Sequence, residues 1–511
     1  MTTSPRTNSR SKIAIIGTGF SGLGMAIRLK QAGEHDFVIF EKEGGVGGTW
    51  RINQYPGCAC DVQSHLYSFS FEPNPDWQRT FPPQPEIWAY LERCAQKYDL
   101  HPQIRFDTHI VAYRWDETRA VWELTDQAGN RHSSKILLIG HGPLSKPAYP
   151  KIEGLEHFQG NCFHSQRWDH DYPLQGKRVA VIGTGASAIQ FVPRLQPHVA
   201  RLDLYQRTPP WVVPKPDRRY TRLERWLFRH VPAVQKLYRG FIYSVLETRA
   251  IAFAVNPRFM SLPQRAAYSH IRRHIKDPEL RRKVTPAYTF GCKRVLISND
   301  YYPALAQPNV DVIATDIRRI TGTGIETADG RQREVDAIIL GTGFDSHFPF
   351  AKGSVIGREG RDLMDAWEEG LEAYKGTTVA GFPNLFVMIG PNTGLGHSSM
   401  IYMIESQIRY ILDALDTMQR YGIEVVDVKE NVLDRFNAWL QEKSNTAVWK
   451  VGGCRSWYLH PKSGKNDMLW PDFTWRFRHL TRRFDIEAYN CLSRPTAKQE
   501  TAATTASKAT V

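Results

Sequence analysis

The chain has 511 residues, 41% of them hydrophobic and 23% charged, which allows sizeable cores and roughly three domains. Its formal charge is +14, but no zinc-finger spacing or RNA-binding aromatic signature accompanies it, so the expected polyanions are cofactors and not nucleic acid. No run of about 18 apolar residues exists and no apolar region precedes Ile13, so neither a membrane span nor a secretory leader is predicted. Seven cysteines, few and odd in number, predict free thiols in a reducing, cytoplasmic setting, and no spacing suits a metal.

Residues 12–41 read as a βαβ unit: the strand KIAIIG, the turn GTGFSG, the helix AIRLKQAG and the strand DFVIFE. Lys135 to Gly142 is a strand running into a glycine turn. Phe158 to Asp169, FQGNCFHSQRWD, fits neither period and reads as a linker. Residues 177–207 repeat the βαβ plan as KRVAVIG, TGASAIQFVPRL and RLDLYQR. The stretch 211–291 is basic, aromatic and helical in spacing, and reads as an insertion. Its amphipathic pattern permits weak membrane-surface association; packing on its own domain with a solvated basic face is the commoner outcome. Val335 to Phe344 and Leu385 to Asn392 are further strands entering glycine turns, and a long helix follows over Met400 to Met418. The low-complexity tail, 493–511, is predicted to be disordered.

Gly17, Gly19 and Gly22 form G-x-G-x-x-G between a strand and a helix, the setting in which glycines permit a tight turn and close approach of a pyrophosphate. Glu41 ends the second strand, where a carboxylate accepts hydrogen bonds from ribose hydroxyls. The second turn carries Gly183, Gly185 and Ala188. Glu41 follows Gly17 by 24 residues, and Arg207 follows Gly183 by the same 24. A base replaces an acid at the equivalent place, which suits the 2′-phosphate of NADPH. The first unit then takes FAD, the natural hydride acceptor. The fold class is therefore α/β, with two Rossmann-like dinucleotide-binding domains and a helical insertion. The expected boundaries are 1–147 and 341–492 for FAD, 148–210 and 292–340 for NADP, and 211–291 for the insertion. The helix after LFVMIGPN is expected to bring its N-terminus to the flavin.

No C-x-x-C follows the first unit, which argues against disulfide reduction. Phe158, Gly160, His164, Trp168 and Asp169 stand in the pattern F-x-G-x-x-x-H-x-x-x-W-D. This resembles the fingerprint of type I Baeyer–Villiger monooxygenases, and related flavin-containing monooxygenases that oxygenate nitrogen or sulfur are expected to have tyrosine at the place of Trp168. GGVGGTW (with Gly48, Thr49 and Trp50), YPGCACD, CKR, GTGFD and GGCRSWY look like further blocks of the family, over almost the whole chain outside the tail. The loop TGLGHSS, Thr393 to Ser399, looks closer to the hydroxyacetophenone and aliphatic-ketone members.

The resemblance implies a small-molecule ketone, of a size the sequence does not define, and O2 as substrates, reduction of FAD by NADPH, oxygen addition at flavin C4a, and attack of the peroxide on the ketone to give an ester or lactone. It implies that Arg294 is the catalytic cation, supported by Asp61, and that Lys293 and Thr208 contact the NADP 2′-phosphate beside Arg207. Arginine suits the task because it stays charged and presents several donors. His164 is read as a hinge or packing element and not a base. Trp439, Trp449, Trp457, Trp470 and Trp475 could line a pocket, though large aromatics are more often core. The rival readings are a nitrogen- or sulfur-oxygenating monooxygenase, and a membrane-surface or redox-sensing protein that binds dinucleotides without turnover.

Overall fold

A computed structural model describes residues 8–347, 350–454 and 456–493. It is built on two separate nucleotide-type sheets, the first mixed and the second parallel throughout. The first starts with β1 (Asn8–Ile16), α1 (Phe20–Gln31) and β2 (Phe37–Phe40), as the first βαβ reading requires. The short helix α2 (Thr49–Ile52) and the longer α3 (Gln84–Lys97) precede β3 (Ile104–Arg105). The antiparallel run β4 (Ile110–Asp116), β5 (Val121–Asp126) and β6 (Arg131–Ile139) brings the chain back beside β1. β1 lies in parallel between β2 and β6, with Ile16 opposite Phe40 on one side and Ile139 on the other. The far half of β6 also takes the strand Leu385–Val387 in parallel, which returns the C-terminal part of the chain to this sheet.

The second sheet contains β7 (Asn161–His164), β8 (Arg178–Ile182), α4 (Ala188–Leu195) and β9 (Arg201–Tyr205). Its order is Val310–Ile313, β9, β8, Ala337–Leu340, β7, all parallel. The supposed linker FQGNCFHSQRWD thus supplies an edge strand. Its four residues are too few to show a period, and their register is set from outside, by Ala337–Leu340.

The insertion is helical as predicted: α5 (Arg222–His230), α6 (Pro232–Ala250), α7 (Ser261–His274) and α8 (Pro278–Val284). Thr221 and Glu224 form a reciprocal capping box at the start of α5, and Pro232 opens α6 where no N–H is needed. Val212–Val213 pairs with Leu296–Ile297, closing the insertion at its base. Ile242 and Leu246 of α6 pack with Leu66. The insertion also grips the N- and C-terminal parts of the chain by polar contacts. Gln235 donates to Asn74 O at 2.8 Å, Arg239 to Ser68 O at 3.0 Å, and Glu247 accepts from Thr474 Oγ1 at 2.7 Å.

Two further expectations change. Cys292 and Cys454 are joined in a disulfide, with their Cα atoms 6.1 Å apart, whereas the cysteine count predicted free thiols. The fold brings the end of the insertion against the C-terminal loop, a proximity that a count cannot register. Of the predicted tail, Ser493 ends the strand Tyr489–Ser493, and the rest lies outside the described residues. Among the described residues no helix is long and apolar enough to cross a membrane.

Candidate active site

Both glycine turns open into one cavity of about 1770 Å³. Single-ligand pockets run to roughly 1000 Å³, so the volume suits more than one large ligand. Gly17, Gly19, Glu41, Gly48, Thr49, Trp50 and Asp61 line it from the first sheet and its loops. Gly183, Gly185, Arg207, Thr208, Lys293 and Arg294 line it from the second. The predicted residues Gly22 and Ala188 stand behind the turns, in packing positions.

The glycines divide by task. Gly17 and Gly183 take φ of +95° and +108°, the left-handed region that favours glycine. A Cβ on Gly22 would fall 1.9 Å from Gly17 O, so only glycine fits there. The middle glycines face open space instead: a Cβ on Gly19 would meet only Gly48 Cα at 3.9 Å, and one on Gly185 nothing within 4 Å. Those are the positions where a pyrophosphate must approach the backbone. Gly22→Ala is expected to fold yet hold little flavin, because the turn must shift to admit the methyl. The ratio of flavin to protein absorbance reads this directly, and a full flavin complement would refute it.

Glu41 is 4% exposed. Its Oε2 accepts from Thr18 N at 2.8 Å and Thr18 Oγ1 at 2.6 Å, and its Oε1 from Glu43 N at 2.9 Å. Of the roughly four acceptor sites of a carboxylate, about one is left for a ribose hydroxyl. Glu41 therefore also fixes its own turn, which the sequence reading missed. Asn53 was missed too: it is a lining residue whose Nδ2 donates to Thr49 O at 2.9 Å, while its Oδ1 is buried without a partner. Gln206 Oε1 and Ser398 Oγ are likewise buried and unpaired, on lining residues. Buried polar atoms are rarely left unpaired, so these three hold hydrogen-bonding capacity that the protein does not spend.

On the opposite wall stand Arg207 and Lys293. Burial lowers the pKa of Lys293, and the like charge of Arg207 lowers it further. Two neighbouring cations that repel each other make a site for an anion. Thr184 Oγ1 donates to Thr208 O at 3.2 Å, tying the glycine turn to this wall.

Between the walls lies the pair Asp61–Arg294. Arg294 Nε and Nη2 both donate to Asp61 Oδ2, at 3.0 and 2.5 Å. Each side chain stays about a third exposed or less, toward the cavity, at 33% and 27%. The Asp61 charge raises the guanidinium pKa, against the opposing effect of burial, and the neighbouring Tyr458 adds to the rise. Arg294 is thus held as a cation throughout the working pH range. The loop that carries Asp61 is gripped by α4: Gln190 Nε2 donates to Ala59 O at 2.9 Å, and Gln190 Oε1 accepts from Tyr55 OH at 3.0 Å. The pair is therefore held jointly by elements of both sheets. Tyr458, 3% exposed, was legible only as part of the block GGCRSWY.

The expected helix N-terminus also reaches the cavity. The helix Met400–Tyr421 is capped by Ser399, whose Oγ accepts from Ile401 N at 3.3 Å, and Ser398, Met400 and Ile404 are lining residues. Of the five C-terminal tryptophans Trp457 lines the cavity, whereas Trp449 and Trp470 are core.

Phe158, Gly160, His164, Trp168 and Asp169 lie off the cavity, although Arg167 of the same stretch lines it. His164, 1% exposed, accepts from Gln166 N at Nδ1 (3.1 Å), so Nε2 carries the proton and donates to Gly343 O at 3.1 Å. Burial lowers its pKa, favouring this neutral form. Ala148 N donates to the same Gly343 O at 2.9 Å, and Thr342 Oγ1 to Ala148 O at 2.6 Å. Both strands of chain that connect the two sheets are thus laced together at His164. Asp169 Oδ2 accepts from Asn161 Nδ2 at 2.7 Å, Trp168 packs on Phe163 and Phe191, and Phe158 and Gly160 lie against each other, where a Cβ on Gly160 would meet Asp336 O at 2.5 Å. His164→Ala leaves Gln166 N and Gly343 O without this partner, at a cost of about 1–3 kcal/mol. The expected result is a thermal midpoint lower by a few degrees with product formed per NADPH unchanged. Loss of product at unchanged stability would make His164 a base instead.

Residues 10–365 match the model of the family described as flavin-binding monooxygenase-like. A Baeyer–Villiger monooxygenase of Pseudomonas aeruginosa is 62% identical over 493 residues, covering 96% of this chain and 94% of the relative. One of Streptomyces coelicolor is 49% identical, covering 96% and 94%. The structure of cyclohexanone monooxygenase from Rhodococcus sp. Phi1 bound to NADP+ superposes with a TM-score of 0.84 at 27% identity, covering 96% of this chain and all of that one. The chain therefore belongs to the flavin-binding monooxygenase-like family and, within it, to the Baeyer–Villiger monooxygenases.

Proposed function

We propose that the protein uses FAD, NADPH and O2 to convert a ketone into an ester or lactone, with Arg294 as its catalytic cation and Asp61 as the residue that positions it. The observation that carries the assignment is the Asp61–Arg294 pair, set in one cavity between two unlike glycine turns. When bound, NADPH supplies hydride, and FAD accepts it and activates oxygen. Residues 1–147 and 341–492 are assigned to FAD, and 148–210 and 292–340 to NADP. Gly17, Gly19 and Gly48, with Thr49 and Trp50, form the FAD cradle, and Glu41 offers its remaining acceptor site to a ribose hydroxyl. Gly183 and Gly185 admit the second pyrophosphate, while Arg207, Thr208 and Lys293 take the 2′-phosphate.

Arg294 keeps a fixed charge where anionic oxygen develops as a ketone carbonyl is attacked. Asp61 occupies Nε and one Nη2 hydrogen, so the guanidinium cannot rotate freely. A preorganised charge in a site shielded from water stabilises such an anion without reorganisation. The fingerprint residues Phe158, Gly160, His164, Trp168 and Asp169 form the joint between the two units and take no part in proton transfer.

Product analysis tests the reading directly. Purified holoenzyme with NADPH is given linear, cyclic and aryl ketones beside a thioether and a tertiary amine. Esters or lactones from at least one ketone class are expected. Sulfoxides or amine oxides alone would replace this reading with nitrogen or sulfur oxygenation.

A further inference from the structure

The insertion carries a surface that the catalytic assignment does not use. Residues 211–291 hold seventeen Lys and Arg against five Asp and Glu, a net +12 of the whole chain's +14. The same segment breaks the usual pattern of a surface helix. On α6, Leu237, Phe241 and Val245 follow at four-residue spacing and are 75%, 65% and 43% exposed, while Ile242 and Leu246 fill the inner face. A helix packed on its own domain normally turns polar residues outward, but the middle of α6 is apolar on both sides. The apolar surface continues along the chain. Leu223 and Trp226 on α5, Val255 and Phe259 in the turns after α6, and Leu262 on α7 are each more than half exposed. Ten of the nineteen exposed large hydrophobic residues in the described chain fall between Leu223 and Leu262. Arg222, Lys236, Arg258 and Arg265 stand exposed among them. Arg218 and Arg229 have acidic partners, but those four form no ion pair among the described residues.

An apolar surface of this extent marks an interaction site, and the charge around it selects the partner. A second copy of this chain would bring two strongly basic faces together and be repelled. A nucleic acid would match the charge, but its phosphates and sugars give Leu237, Phe241 and Val245 nothing to bury against. An anionic bilayer matches both, since its boundary region takes apolar side chains while its headgroups pair with Lys and Arg. We propose that the outer face of residues 222–265 docks on an anionic phospholipid surface, with Leu237, Phe241 and Val245 entering the headgroup boundary. The proposal stands independently of the ketone assignment.

The test is flotation of the full-length holoenzyme with phosphatidylcholine vesicles containing about one third phosphatidylglycerol, beside vesicles of phosphatidylcholine alone. The enzyme is expected to rise with the anionic vesicles at low salt, to be released largely at about 0.5 M salt, and to leave the neutral vesicles unoccupied. The variant Leu237→Gln/Phe241→Gln is expected to bind anionic vesicles about tenfold less, with its flavin spectrum and NADPH oxidation rate unchanged, which shows it to be folded. Failure to float with anionic vesicles, equal flotation on neutral ones, or undiminished flotation of the variant would each overturn the proposal. So would duplex-DNA retention, or self-association in sedimentation, found without vesicle binding.

Discussion

Arg294→Ala is expected to oxidise NADPH and reduce its flavin near the wild-type rate, while ester formation falls by about a hundred- to a thousandfold, the loss typical of removing one preorganised charge or donor. The two readouts separate because Arg294 lines the cavity paired with Asp61, whereas the proposed contacts to the NADPH phosphate fall to Arg207, Thr208 and Lys293. The substitution also leaves Asp61 without the partner that holds its Oδ2 at 3.0 and 2.5 Å. Asp61→Asn is therefore the informative companion: it keeps the shape, removes the carboxylate that orients the guanidinium, and should lower ester formation less than Arg294→Ala does. Stopped-flow reduction and chromatographic product analysis on the same preparations decide the matter. Ester formation by Arg294→Ala near the wild-type rate would remove Arg294 from the chemistry.

The double variant Arg207→Ala/Lys293→Ala should lose its preference for NADPH. Each charge-assisted contact to a 2′-phosphate is worth roughly 1.5–3 kcal/mol, so losing both should raise the KM for NADPH about a hundred- to ten-thousandfold. The KM for NADH, which has no 2′-phosphate, should change little. Arg207→Ala alone gives a smaller shift, because Lys293 remains and the repulsion that lowers its pKa is gone. An equal loss with both nucleotides would mean that the two side chains shape the wall and do not read the phosphate.

The parts legible from sequence were those whose meaning is local. Gly17, Gly19 and Gly22 sit between a strand and a helix, and the physics of that turn needs only its neighbours. The exchange of Glu41 for Arg207 could be read because the two units repeat one plan. Strand β7 could not, because its pairing with Ala337–Leu340 is decided by residues far along the chain. The Cys292–Cys454 pairing has the same cause, across a separation of 162 residues. Asn53 escaped notice since nothing in RINQYP marks one buried carbonyl oxygen as unpaired. Arg294 and Asp61 lie 233 positions apart, and only the resemblance to a family joined them before the structure did.

Besides the grip of Gln190 on Ala59 and Tyr55, two polar clusters fasten the second unit to the first. One is the knot of Ala148, Thr342 and Gly343 around His164. The other is the clasp of Gln235, Arg239 and Glu247, which the insertion closes on Asn74, Ser68 and Thr474. The Gln190 grip ties the Asp61 loop to the same unit that carries Arg294. A shift of the second sheet against the first therefore carries both partners of the pair together, and the alignment of the charge is insulated from the fit between the two sheets.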